Sequence, residues 1–319
     1  MAEMACDGAA AGRLKVLAVI GPTAVGKTAL SLELADRLNA EIISVDSRQV
    51  YRYMDIGTDK ISPAQRRLIL HHLIDEVDPD QVYTASDFAR DALDAARRIA
   101  ARGRVPLFVG GTPFYYQALM GGLISVNVPP DEGVRSQLNG MTDVELHGRL
   151  GEVDPLTAKR LHPNDRFRIL RALEIYSVTG TPPSELFAQA KKTGGPLDVL
   201  YLGLNRDREE LREIIAQRVK EQFDAGYADE VEWLLSHGFS ADLPSMKGFG
   251  YRELAAYHQG RMTYQEALDG DVTATRQFAK RQMTWFRKFE PAVWFDRGRL
   301  SAQTTVERML EAARRHLEG

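Results

Sequence analysis

The chain has 319 residues, 44% of them hydrophobic and 27% charged, with a formal net charge of −3. It is long enough for a large core and more than one domain, and the acidic balance excludes a globally basic nucleic-acid binder, so any basic surface must be local. The only cysteine, Cys6, excludes an internal disulfide and a cysteine-cluster zinc site, and a bystander role is expected for it in a short N-terminal tail.

No apolar run approaches the roughly 18 to 20 residues needed to cross a bilayer. Met1–Gly12 carries Glu3 and Asp7 and has no basic start, which argues against a secretory signal. The chain reads as cytoplasmic, with no membrane partner. A monomer is expected.

Four short, nearly continuous apolar runs have the pattern of strands covered on both faces: Leu14–Ile20, Glu41–Asp46, Val105–Gly110 and Val199–Leu204. Helical patterns separate them. Lys27–Leu38 follows the first strand, and Asp87–Ala101 is expected to start on Ser86 as N-cap and close at Gly103. Strand, helix and strand repeated in this way mean an α/β fold with a mainly parallel sheet.

The pattern changes after Gly122. Val126–Pro130 reads as extended, and Asp131–Ser177 as helices punctuated by Gly140, Gly151, Pro155 and Pro163. Thr179–Pro196 reads as turns leading back to the strand at Val199. We therefore expect residues 1–124 and 197–319 to form the core with C-terminal helices, and 125–196 to form a helical insertion domain. From Arg208 onward the chain reads as mostly helical, broken near Pro244–Gly250 and at Pro291.

Gly21-Pro22-Thr23-Ala24-Val25-Gly26-Lys27-Thr28 fits G-x-x-x-x-G-K-[ST], the phosphate loop of P-loop NTPase-like cores. Gly21 and Gly26 let backbone N–H groups turn toward phosphate oxygens. Lys27 adds a charge, Thr28 offers a hydroxyl to Mg²⁺, and the helix that starts there presents its positive end. Such a loop can hold ATP, GTP or a diphosphate leaving group. No run of four apolar residues downstream ends in the Asp that nucleotidases use for the metal: Leu107–Val109 runs instead into Gly110-Gly111-Thr112.

Asp46, in Asp46-Ser47-Arg48-Gln49-Val50-Tyr51, ends the second strand. The carboxyl ends of parallel strands form the ligand crevice, so this acid should face the phosphate loop. It can accept a proton from an attacking nitrogen. Equally, it can cap a following helix; the residues alone leave both open.

Basic residues gather in three places. Arg276, Lys280, Arg281, Arg287 and Lys288 spread over about 140° of one helix, opposite an apolar side expected to hold Trp285 in the core. Arg168 and Arg171 share a face, opposite Ile169, Leu173 and Tyr176. Lys247 and Arg252 flank glycines that would let backbone approach a ligand. Each can be a solvated face; together they suit one RNA-binding surface.

These motifs, in order, resemble the tRNA dimethylallyltransferase (tRNA isopentenyltransferase) family: GPTAVGKT, DSRQVYRYMDIGT, HHLIDEVDP, RGRVPLFVGGTPFYYQAL, HPNDRFRILRALEIY, SELF, GLNRDREEL, GFGYRE and TRQFAKRQMTWFRK. The resemblance spans about Leu14 to Asp296. It implies transfer of a dimethylallyl group from dimethylallyl diphosphate to N6 of adenosine 37, beside the tRNA anticodon, with Mg²⁺ as cofactor. It further implies that Gly21–Thr28 hold the diphosphate, Asp46 is the general base, Thr23 lies near the reacting carbon and Arg218 contacts the diphosphate. Asp46–Gln49, Thr112 and Phe167–Arg171 (Phe167, Arg168, Ile169, Leu170, Arg171) match tRNA-contacting segments. So, more loosely, do Lys247–Arg252 and Arg276–Gln282, with Arg276, Lys280 and Arg281 the charges concerned. Phe167 stands where the family usually has glutamine. No Cys/His zinc-finger tail follows the basic helix, as in bacterial-type members.

Rival readings are an adenylate isopentenyltransferase acting on free AMP or ATP, which has no use for an anticodon-gripping helix, a P-loop kinase, and a non-catalytic RNA-binding P-loop protein.

Overall fold

The computed structural model describes residues 13–120, 128, 131–193 and 195–319. Cys6 and most of Val126–Pro130 lie outside these residues. The chain divides into two compact units, one built from the residues up to Tyr116 with Leu197–Gly319, the other from Gln117–Pro196.

The first unit carries a six-stranded sheet of β1 (Leu14–Ile20), β2 (Ala40–Ser44), β3 (His71–His72), β4 (Val105–Val109), β5 (Leu197–Asn205) and β6 (Ala292–Asp296), in the order β3-β2-β4-β1-β5-β6. Every pairing is parallel. The α/β expectation therefore holds, and all strand carboxyl ends face one crevice. Two strands escaped the sequence reading. β3 is only two residues of His-His, and β6 is a partly exposed strand between Pro291 and a charged turn, so neither has a continuous apolar run. β2 ends at Ser44, leaving Asp46 two residues beyond the ladder.

Successive β1 side chains point to opposite faces, and Val16 to Ile20 are all fully buried. Leu17 and Val19 join a core with Leu30 and Leu34 of α1 (Lys27–Arg37). A short α2 (Pro63–Leu68) starts on Ser62, and α3 (Ala85–Ala101) packs on β2 and β4. The N-cap of α3 is Thr84, not Ser86: its hydroxyl accepts from Asp87 N–H while the Asp87 carboxylate accepts from Thr84 N–H. That reciprocal box satisfies two end groups, which Ser86 could not arrange because Ala89, three residues on, carries no acceptor. α4 (Pro113–Met120) follows β4.

The second unit holds α5 (Glu132–Asn139), α6 (Asp143–Val153), α7 (Pro155–Arg160), α8 (Arg166–Thr179) and α9 (Pro183–Thr193). Gly151 sits inside α6 and does not break it, because capping by Thr142 and burial of Leu146 and Leu150 outweigh one glycine. The stretch expected as turns contains α9, whose Pro183 occupies the first turn where proline is tolerated. Leu138, Leu146, Leu150, Ile169 and Leu173 form this unit's core.

Beyond β5 the first unit adds α10 (Arg208–Asp224), α11 (Tyr227–Ser236), α12 (Tyr251–His258), α13 (Tyr264–Phe286) and α14 (Ala302–Glu318). α13 packs on α10 and α12, and α14 on α1. Among the described residues no helix is long and apolar enough to cross a membrane.

Candidate functional site

The phosphate loop leaves β1 through Gly21, whose φ is +148° and whose Cβ, if it had one, would lie 2.6 Å from the Leu204 carbonyl oxygen. It enters α1 through Gly26 at φ +96°. Both glycines answer to conformation or space that other residues would meet with strain. Lys27 folds back on the loop, donating to the carbonyls of Gly21 (3.0 Å) and Pro22 (2.8 Å). Burial, and then the charge of Arg218, push its ammonium down to about 7. The Thr28 hydroxyl has no hydrogen-bond partner among the described residues and lines the cavity above the loop, a position that suits a Mg²⁺ ligand.

That cavity has a volume of about 830 Å³ and opens among Thr23, Lys27, Asp46, Thr112, Arg218 and Gln282. Gly110 makes the convergence possible: a Cβ there would lie 2.1 Å from the Val45 carbonyl oxygen, so only glycine lets the ends of β2 and β4 approach. Thr112 then ties the two together, donating N–H to the Val45 carbonyl and accepting from Ser47 N–H at 3.2 Å.

Asp46 caps no helix. Its Oδ1 accepts from the N–H groups of Arg48 (2.8 Å) and Gln49 (3.3 Å), which fixes a turn. Its Oδ2 takes no hydrogen bond from the described residues, and the side chain lines the cavity. The helix-cap reading of Asp46 therefore fails, since Oδ1 fixes a turn and no helix follows, and Oδ2 is left without a hydrogen bond among the described residues. Arg218, ten residues into α10, donates to Thr23 Oγ1 at 2.6 Å and to Asp59 at 3.1 Å.

Three cavity residues were not singled out from sequence. Gln282 Oε1 accepts from Thr23 N–H at 2.8 Å, and its amide donates to the Gly111 carbonyl, so α13 grips both loops. A signal existed: Gln282 falls on the buried stripe Thr275, Ala279, Gln282 and Phe286, where an amide needs a partner. Asp271 is buried among α10 to α12, accepts from the Thr275 hydroxyl, and is pushed up to about 6 by burial, with Glu253 adding to it. Asp59 sits in a left-handed turn at φ +56° that no sequence pattern announced.

The residues matched to RNA contacts fall into different settings. Arg48 and Gln49 line the cavity, but Arg48 is also held by the carbonyls of Pro244 and Ser245, and Gln49 by that of Thr58. Lys247 and Arg252 line a separate groove with Arg261. The glycines between them are filled from within: the Arg48 guanidinium lies against Gly248, and Tyr227 and Asp271 against Gly250. Arg276 donates to the Arg212 carbonyl, whereas Lys280 and Arg281 are exposed. Trp285, expected in the core, is 40% exposed, because the buried stripe of α13 runs through Phe286 instead. In the second unit Phe167 and Arg168 are exposed, while Ile169 is fully buried, so its side chain offers nothing to RNA. Arg171 is engaged by Glu174 and the Val128 carbonyl.

A parallel α/β sheet with a phosphate loop at the crevice, no acid at the end of β4, and an oriented carboxylate facing the loop defines a P-loop-like protein built for group transfer. The IPP transferase family model matches residues 49–289, and an isopentenyl transferase model matches residues 14–71. A tRNA dimethylallyltransferase of Thermotoga maritima is 44% identical over 286 residues, 89% of this chain and 92% of that protein. A tRNA isopentenylpyrophosphate transferase from Bacillus halodurans superposes with a TM-score of 0.72 at 37% identity, over 95% of this chain and 97% of that one. A eukaryotic dimethylallyltransferase acting on tRNA superposes with a TM-score of 0.86 at 29% identity, over 96% and 80%. The chain belongs to the IPP transferase family.

Proposed function

We propose that this chain transfers a dimethylallyl group from dimethylallyl diphosphate to N6 of adenosine 37 in the anticodon stem-loop of tRNA. The observation that carries this reading is the pairing of a phosphate loop with the unspent oxygen of Asp46 across one cavity. A kinase would need an acid at the end of β4, where Gly110 stands.

Adenine N6 is a weak nucleophile because its lone pair is delocalised into the ring. In the proposed step N6 attacks the allylic carbon, the carbon–oxygen bond to diphosphate breaks, and the N6 proton passes to Asp46 Oδ2. Lys27, Arg218 and the loop N–H groups stabilise the charge gathering on the departing diphosphate. Thr28 would hold Mg²⁺, which when bound supplies further charge to those oxygens. Thr23 is held at its backbone by Gln282 and at its hydroxyl by Arg218. The base must leave its stack to enter the cavity, at a cost of a few kcal/mol.

The residues assigned to this step all lie on one chain, in keeping with a monomer, and tRNA as substrate supports action in the cytoplasm. Exposed Lys280 and Arg281 supply phosphate contacts, and exposed Phe167 supplies a stacking surface. The test is to offer labelled dimethylallyl diphosphate and Mg²⁺ with either tRNA or AMP. Label on tRNA at adenosine 37 supports the reading; label on AMP alone sinks it in favour of the adenylate enzyme.

A further inference from the structure

The loop from Asp55 to Asp59 is held with more contacts than a surface turn requires. The carboxylate of Glu230, on α11, accepts from three consecutive backbone N–H groups: Asp55 at 2.8 Å, Ile56 at 2.7 Å and Gly57 at 3.2 Å. It also accepts the Tyr251 hydroxyl at 2.7 Å. Gly57 must be glycine, since a Cβ would fall 2.1 Å from the Tyr227 ring. The buried Lys60 ammonium closes the far side, donating to Asp55 (2.6 Å), Asp75 (2.7 Å) and the Tyr51 carbonyl (2.9 Å).

The fixed loop meets α10 at two points one helical turn apart. Gln222 donates to the Ile56 carbonyl at 3.1 Å, and Arg218 donates through Nη1 to Asp59 Oδ2 at 3.1 Å. The other guanidinium nitrogen, Nη2, reaches Thr23 in the phosphate loop. Arg218 Nε is buried with no partner among the described residues, so Asp59 and Thr23 are the two tethers of its head.

We propose that Asp59 is a positioning residue of the phosphate site, aiming Arg218 at the phosphate loop, and that Glu230 sets the place of Asp59 through the amides of Asp55–Gly57. This rests on the reading above in which Arg218 contacts the donor's diphosphate. A carboxylate in such a site is otherwise unfavourable, because its charge opposes the incoming anion. With the head of Arg218 pre-aimed, less freedom is lost when diphosphate binds, and the geometry outweighs the repulsion.

The experiment measures calorimetric binding of inorganic diphosphate with Mg²⁺ to the full-length protein and to Asp59→Asn, Arg218→Ala, the double variant and Glu230→Gln, each with its melting temperature. Asp59→Asn should weaken binding about tenfold alone but less than about twofold in the Arg218→Ala background, the signature of coupled residues. Its melting temperature should stay near that of the parent, since the Asp59 carboxylate is half exposed. Glu230→Gln should weaken binding in the same direction and add little to Asp59→Asn; if it does not fold, the Asp59–Arg218 cycle still decides. Unchanged or tighter binding by Asp59→Asn, or an equal loss with and without Arg218, overturns the proposal. No diphosphate binding by the parent protein would instead sink the donor-site reading itself.

Discussion

The side-chain oxygen of Gln282 accepts a hydrogen bond from the backbone N–H of Thr23 at 2.8 Å, across 259 residues of sequence. Through this contact α13 holds the phosphate loop, and through its amide it holds Gly111 beside it. Gln282→Ala leaves a partly buried N–H and a buried carbonyl without this partner. The loss expected is about 1 to 3 kcal/mol of stability, with a raised KM for the allylic donor. Thermal unfolding and donor saturation kinetics check both; an unchanged KM would mean the loop holds its shape alone.

Lys27 gives a pH dependence whose sign follows from its lowered pKa. The ammonium is charged below about pH 7 in the free protein and loses its proton above it. Diphosphate needs the charged form, so the Lys27 contribution to affinity should be full at pH 6 and decline as pH rises through 7 and 8. Comparing the diphosphate affinity of the parent with that of Lys27→Met from pH 6 to 9 isolates this contribution. The ratio between them should shrink with rising pH; a constant ratio contradicts the assignment.

Asp271 makes the opposite kind of prediction, about stability. Its folded pKa, about 6, lies above the ordinary 3.8, so the charged carboxylate costs folding energy above pH 6. The cost fades as pH falls through 6 toward 4. Asp271→Asn should therefore raise stability by about 2 to 3 kcal/mol at pH 7.5 and by well under about 1 kcal/mol near pH 4. Denaturant titration at the two pH values checks it. A gain that grows on acidification would reverse the sign and refute the burial argument.

The basic helix divides into spent and available charges. Arg276 is bonded to the Arg212 carbonyl, while Lys280 and Arg281 stand free in solvent. Replacing either of the latter with alanine should reduce the slope of log affinity for tRNA against log salt by about 0.7 to 0.9. Arg276→Ala should change it less. Equal, negligible changes at all three would make this an ordinary solvated face.

Much of the framework was legible in the sequence because it obeys local rules. β1, the phosphate loop and α1 are announced by an apolar run, two glycines and a lysine, and all three stand where those residues require. β3 and β6 were illegible because pairing, not composition, makes them strands. Trp285 misled because the helical period of α13 admits two neighbouring stripes, and the amide of Gln282 decided between them by reaching the loop. Asp59 and Glu230 meet Arg218 and the 55–57 amides only after α10 and α11 pack, so no spacing could reveal them. Asp46 was visible as an acid at a strand end, but the division of labour between its two oxygens is a property of the turn.

The central claim is that the free oxygen of Asp46 takes the N6 proton, and Asp46→Ala tests it most directly. Single-turnover transfer from dimethylallyl diphosphate to tRNA, measured at saturating tRNA so that a loosened 46–49 turn does not enter, should fall by about 10² or more. Turnover at the parental rate would contradict the account and return Asp46 to the role of a turn-forming residue.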